Sequence, residues 1–157
     1  MPSIHLREIT ADTVRRVTSL SVRDEQKHLV ATNAESLAEA LFSPEAWYRA
    51  ICVDEEFAGF VMLYDESLRS TPPGVPRVGV WRFMIDARFQ ARGIGRNALL
   101  QVIAHVRSKG LFAKLELSYV PGLNSPEQFY RRLGFRPNGE VDDGEIVLEL
   151  PLGEGEA

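Results

Sequence analysis

The chain has 157 residues, 45% of them hydrophobic, and a formal net charge of −4 at pH 7. That suits one domain with its own core, read as residues 1–152 with a flexible tail over 153–157. The acidic balance argues against a nucleic-acid binder held by phosphate contacts. A single cysteine, Cys52, excludes a disulfide framework or thiolate metal cluster. The chain has no apolar run near the ~20 residues a bilayer span needs and no signal layout, which points to the cytoplasm.

Ile4 and Leu6 alternate with polar neighbours and predict a first strand. Thr10 is placed to cap a helix carrying Val14, Val17 and Leu20. Residues 22–32 lack a clear period and read as irregular or briefly helical. Asn33 is the expected cap of a second helix with Leu37, Ala40 and Leu41, stopped near Ser43 and Pro44. Residues 47–53 and 57–64 form a hairpin turned by Asp54, Glu55 and Glu56. The Pro- and Gly-rich residues 71–76 are a stiff loop within the domain.

Residues 78–85 are nearly all apolar, as a central buried strand should be. A helix over 95–109 carries Ile94, Ala98, Leu99, Val102, Ile103 and Val106 on one stripe and ends at Gly110. A strand follows over 113–119. Ser125, Pro126 and Gln128 suggest a capping-box start to a short helix reaching Leu133. Two last strands, over 135–141 and 145–150, turn at Asp142, Asp143 and Gly144. The order is mixed α/β, with an antiparallel start and one βαβ crossover.

Residues 90–95 read Gln-Ala-Arg-Gly-Ile-Gly and stand between the central strand and the long helix. A turn rich in backbone N–H groups at a helix N-terminus is a pyrophosphate cradle. Gly93 and Gly95 let backbone approach a ligand closely, and Arg92 and Arg96 add positive charge. Gly93, Gly95 and Ala98 also satisfy the dinucleotide pattern G-x-G-x-x-A, with Glu116 about 20 residues on. Against that reading, residues 86–92 separate the strand from the turn, and little chain follows Glu116.

A second constellation lies downstream: Asn124, Ser125, Pro126, then Phe129, Tyr130, Arg131, Arg132, Leu133, Gly134 and Phe135. The two motifs, in this order, resemble the GNAT superfamily of acetyl-CoA-dependent N-acetyltransferases. Gln90, Gly93 and Gly95 match its Q/R-x-x-G-x-G/A motif. Asn124, Phe129, Tyr130, Leu133, Gly134 and Phe135 match its N…FY…LGF motif. Residues 26–37, 81–86 and 118–122 are similar to the polyamine (spermine/spermidine) acetyltransferase branch.

The resemblance implies a mostly antiparallel sheet of six to seven strands, about four helices and splayed central strands. It implies acetyl-CoA held by residues 90–96 (Gln90, Ala91, Arg92, Gly93, Ile94, Gly95 and Arg96), by backbone at Phe83, Met84 and Ile85, and by Asn124. One N–H of that strand would polarise the thioester oxygen. Tyr130 would protonate the departing thiolate. One group of polyamine enzymes carries a glutamate where this chain has Trp81, so the base lies elsewhere or is a water chain. Glu66, Glu116 and Glu145 are candidates.

The acceptor is expected to be a small amine, polyamine-like, bound between residues 22–33 and the hairpin from Asp142. Glu25, Glu35, Asp65, Glu66, Glu140, Asp142, Asp143 and Glu145 could line an acidic mouth there, and Glu116 is a further substrate candidate. His28 and His105 lack partner ligands, so no metal is expected. Trp47 and Trp81 read as packing residues. The sequence leaves open another amine (amino acid, antibiotic or protein N-terminus), a homodimer, and a non-catalytic acyl-CoA binder. Tyr130 argues against the last, since a pure binder has no need of it.

Overall fold

A computed structural model describes residues 2–153. The strands are β1 (Ile4–Arg7), β2 (Ala46–Val53), β3 (Glu56–Asp65), β4 (Val78–Ile85), β5 (Lys114–Tyr119), β6 (Arg136–Asp142) and β7 (Glu145–Pro151). The α-helices are α1 (Val14–Thr18), α2 (Asn33–Ala40), α3 (Ile94–Lys109) and α4 (Glu127–Arg132). The strands form one sheet in the order β1-β2-β3-β4-β5-β7-β6. Every pairing is antiparallel except β4 with β5. This is the mixed α/β architecture expected. Of the tail over 153–157, all but Gly153 lies outside the described residues.

The alternation of strand side chains divides the core between the two faces of the sheet. On one face α3 buries Ile94, Ala98, Leu99, Val102, Ile103 and Val106, the stripe read from the sequence. It packs on Val61, Leu63, Val80, Leu115, Leu117 and Leu148. Each such side chain, fully buried, contributes about 1.5–3 kcal/mol. On the other face Val17 and Leu20 pack with Ala50, Cys52, Phe60, Met62 and Met84, and Leu37 of α2 joins them. No residue of β5, β6 or β7 enters that second cluster. The face is therefore roofed over β2, β3 and β4 only.

Three helix starts differ from expectation. Thr10 does not cap α1, because its carbonyl closes a turn by accepting from the N–H of Thr13 and Val14, and Thr13 is the N-cap. Thr32, not Asn33, caps α2: its hydroxyl accepts from Glu35 N–H at 3.1 Å and Glu35 returns the contact. Asn33 is buried instead, its amide donating to the Val17 carbonyl at 2.9 Å. At α4 the N-cap is Pro126 and no side-chain capping box forms; Ser125 Oγ accepts from Glu127 N–H at 3.3 Å.

The centre of the sheet is open. β4 pairs with β5 only at Gly79 opposite Glu116 and Val80 opposite Leu117. Beyond that point each strand keeps its outer neighbour. Phe83, Met84 and Ile85 stay paired with β3, and Ser118 and Tyr119 stay paired with β7. The end of β4 is also held from outside: Asp86 N–H donates to the Ala58 carbonyl, and the Asp86 carboxylate accepts from Ser21 N–H at 2.9 Å. A bulge in the β3 pairing leaves Trp81 without a partner. Both Trp81 and Arg82 then lie on the α2 side, where Trp81 packs and Arg82 donates to Glu39 at 2.8 Å.

Candidate active site

The strand gap opens into a cleft of ≈ 1730 Å³. That exceeds the ~300–1,000 Å³ usual for one small ligand, so the cleft has room for a large ligand and a second one. Its wall on the α3 side is the turn after β4. Ala91 (φ 64°) and Gly93 (φ 77°) are both left-handed, and Gly93 is the N-cap of α3. The first bond back into the helix is Asn97 N–H to the Gly93 carbonyl. The N–H groups of Ile94, Gly95 and Arg96 therefore have no partner within the helix. A left-handed alanine is strained backbone, of the kind found at ligand sites. A Cβ on Gly95 would make only ordinary contacts with Ile85 and Phe129, at 3.5 and 3.6 Å, so the protein itself has room for it.

Gln90 closes the end of the gap. Its amide donates to the Ile85 carbonyl at 2.9 Å and to Gln26 Oε1 at 2.8 Å. Phe83 stacks on Phe129 across the cleft floor, ring centres 6.1 Å apart. Tyr130 follows on α4, set edge-on to Phe129 and Phe135. It is 7% exposed and lines the cleft. Burial alone pushes its hydroxyl above the ordinary value near 10, so it is protonated at neutral pH.

On the opposite side the unroofed part of the sheet presents Glu116 and Ser118 of β5. The Glu116 side chain is 6% exposed. Tyr64 donates to it at 3.0 Å and Arg77 at 2.7 Å, and Lys114 lies 3.4 Å away. Tyr64 reaches Glu116 by lying across Gly79, where a Cβ would clash with the Tyr64 ring and hydroxyl. Burial pushes the Glu116 carboxyl up, but the bonds from Arg77 and Tyr64 and the Arg77 charge outweigh it and leave it below its ordinary value. Tyr64 moves the other way, raised by burial and by the Glu116 charge.

The acetyltransferase (GNAT) family model matches residues 14–135, most of the chain. The chain belongs to this family. Among its relatives is the spermine/spermidine N(1)-acetyltransferase of Bacillus subtilis (strain 168), 28% identical across 96% of this chain and 99% of that protein. The GNAT domain of S. lividans PAT superposes with a TM-score of 0.70 at 22% identity, covering 96% of this chain and 90% of that one. The PaiA N-acetyltransferase of Thermoplasma acidophilum, solved in complex with coenzyme A, gives 0.69 at 14% identity, covering 95% and 99%.

In this acetyltransferase the expected donor residues converge. Phe83, Met84, Ile85, Gln90, Ala91, Gly93, Gly95, Arg96, Asn124 and Tyr130 all line the one cleft. Ile94 turns inward to the core, and Arg92 sits over the ring of Phe89, which lines the cleft, without lining it itself. The acidic residues divide. Glu35, Glu116, Glu140, Asp142, Asp143 and Glu145 line the cleft. Glu25 is exposed on a 3-10 turn over Asp24–Leu29 and is not part of the wall. Glu66 is held outside by Arg77 N–H and Arg69, and Asp65 is buried against Lys109 at 2.7 Å. Sequence reasoning missed Tyr64, Arg77 and Ser118. The row that joins Tyr64, Gly79 and Glu116 exists only once strand register is known.

A carboxyl lowered in the folded state contributes stability that is complete above its ordinary value and is lost as pH falls through the folded value. For Glu116 the ordinary value is 4.5. Glu116→Gln should therefore be less stable than wild type at neutral pH, and the difference should close below about pH 4.5. Urea midpoints measured from neutral pH downward check this; a constant difference at every pH would contradict it.

Proposed function

We propose that this acetyltransferase moves an acetyl group from acetyl-CoA to a primary amine of a small polycation of the spermidine or spermine class. The observation that carries the reading is the gap between β4 and β5. One side has a helix N-terminus whose first N–H groups have no partner within the helix, and the other has an unroofed strand face edged with carboxylates. The likeness to a spermine/spermidine N(1)-acetyltransferase supports the acceptor class.

The residues fit the donor. The N–H groups at the start of α3 and the Arg96 side chain would hold the pyrophosphate. Backbone groups of Phe83, Met84 and Ile85 that face the gap would take the pantetheine arm and polarise the thioester oxygen, with Asn124 beside it. The coenzyme supplies an activated acetyl group. The neutral amine attacks the carbonyl carbon, the C–S bond breaks, and Tyr130 gives its proton to the sulfur. Burial keeps that hydroxyl protonated at neutral pH, so the proton is present to be given.

The acceptor's charge would be met at the hairpin. Glu140, Asp142, Asp143 and Glu145 line the cleft, and none has a cation within salt-bridge reach among the described residues. Glu116 differs, since Arg77 and Lys114 already balance it. A second reading, an acceptor bearing its own carboxylate, is favoured by one observation. Arg82 lines the cleft, and although Glu39 holds one end of its guanidinium, its buried Nε has no partner among the described residues.

Coenzyme A release in the presence of acetyl-CoA and a panel of amines tests the proposal. Spermidine and spermine should turn over faster than a monoamine of similar length. The advantage should shrink with salt, because exposed charges are screened over ~10 Å at 0.1 M. Amino acids or peptides outpacing polyamines at every ionic strength would replace this reading with the second. Tyr130→Phe should lower kcat by ~10²-fold with little change in acetyl-CoA affinity by calorimetry; unchanged turnover would make Tyr130 a packing residue.

A further inference from the structure

A protonated amine must lose a proton before it can attack, and the buried carboxylate nearest the gap is poorly placed to take it. Glu116 Oε1 already accepts from Tyr64 and Arg77, and Lys114 stands beside Oε2. Three donors crowd that carboxylate and two of them are cations. Trp81 supplies no carboxylate from β4. Glu25 and Glu66 lie outside the cleft wall.

Among the other carboxylates that line the cleft, Glu145 accepts a hydrogen bond from a hydroxyl on β5. Ser118 is the first residue of β5 past the last β4 contact, which is Val80 opposite Leu117. Its side chain leaves the sheet on the same face as Glu116, two residues nearer the open end. Ser118 Oγ donates to Glu145 Oε1 at 2.7 Å. Glu145 stands on β7 at the start of the hairpin, and both residues line the cleft. The groups around Glu145 are Ser118 from β5, Asp142 directly opposite on β6, and Asp143 in the turn. All of the charged ones are acidic. No cation competes for the carboxylate among the described residues.

We infer that Ser118 and Glu145 form the proton relay for the acceptor amine. The inference rests on the acetyl-transfer reading above and adds the group that reading leaves unnamed. The balance is simple. An ammonium carries three protons and the product amide keeps one. The first passes from nitrogen to Ser118 Oγ as the Ser118 hydroxyl proton passes to Glu145, and then leaves to solvent. The second departs as the C–N bond forms and the C–S bond breaks, and it ends on the coenzyme sulfur with Tyr130 as the donor that is reprotonated. Ser118 is the residue that meets the amine, and Glu145 acts through it.

A relay and a mere anchor for positive charge differ in kinetics. Wild type, Ser118→Ala, Glu145→Gln and Asp142→Asn are compared with spermidine at saturating acetyl-CoA from neutral pH to about pH 10, where the free amine becomes abundant. The relay requires Glu145→Gln to lose ~10²-fold in kcat at neutral pH and to recover toward wild type at the alkaline end. Ser118→Ala should show the same shape with a smaller loss, because a water can take the place of the hydroxyl. Asp142→Asn should change KM and leave kcat. A Glu145→Gln variant changed only in KM, or slowed equally at every pH, would overturn the relay while leaving acetyl transfer intact. Wild-type enzyme that releases no coenzyme A with any amine would overturn the acetyl-transfer reading itself, and the relay with it.

Discussion

The site depends on one missing set of hydrogen bonds. A parallel pair at the centre of a sheet should continue, because unpaired backbone groups inside a protein are costly. Here β4 and β5 part after two residue pairs. Each strand holds to its outer neighbour, and the end of β4 is anchored by Asp86 to Ser21 and Ala58. The Trp81 bulge bends β4 at the same place. The inner edges of the two strands are left to bind something else, and the Ile85 carbonyl there is taken by Gln90. Residues from both faces line the slot so formed, Trp81 from the α2 side and Phe129 and Tyr130 from the α3 side.

Electrostatics separates the two sides. The turn at Ala91 and Gly93 offers helix N–H groups and Arg96 and suits an anion. The strand face across the gap carries carboxylates of two kinds. Glu116 is internal, balanced by Arg77 and Lys114 and clamped by Tyr64 across Gly79. It stiffens β3, β4 and β5 just below the slot. The hairpin carboxylates have no such partners among the described residues and are open to a cation. Net charge alone would not make that division, since both kinds count equally toward −4.

Much of this was legible in the sequence where the signal is local. The α3 stripe, its Gly110 stop, the residue limits of β4 and the left-handed Gly93 all follow from spacing and residue type within one element. The choice between Thr32 and Asn33 as a cap was not legible, because the Asn33 amide is claimed by the Val17 carbonyl of another helix. The hairpin order was hidden too. Either of its strands could have met β5, and it is β7 that does. The acidic mouth was read from composition, which cannot tell Glu145 on the wall from Glu25 facing solvent. The Tyr64 row and the Ser118 contact need strand register, and the gap itself came from family likeness rather than from periodicity.

The central claim is that the slot between β4 and β5 is where acetyl-CoA binds. Amide hydrogen exchange, resolved by residue and run with and without acetyl-CoA, tests it most directly. Protection should appear at Phe83 and Ile85, whose amides face the gap, and at Ile94, Gly95 and Arg96 at the start of α3, while Met84, already paired with β3, and the β1 and β2 amides stay as they were. Binding that protects other segments and leaves β4 and the α3 N-terminus unchanged would contradict the account.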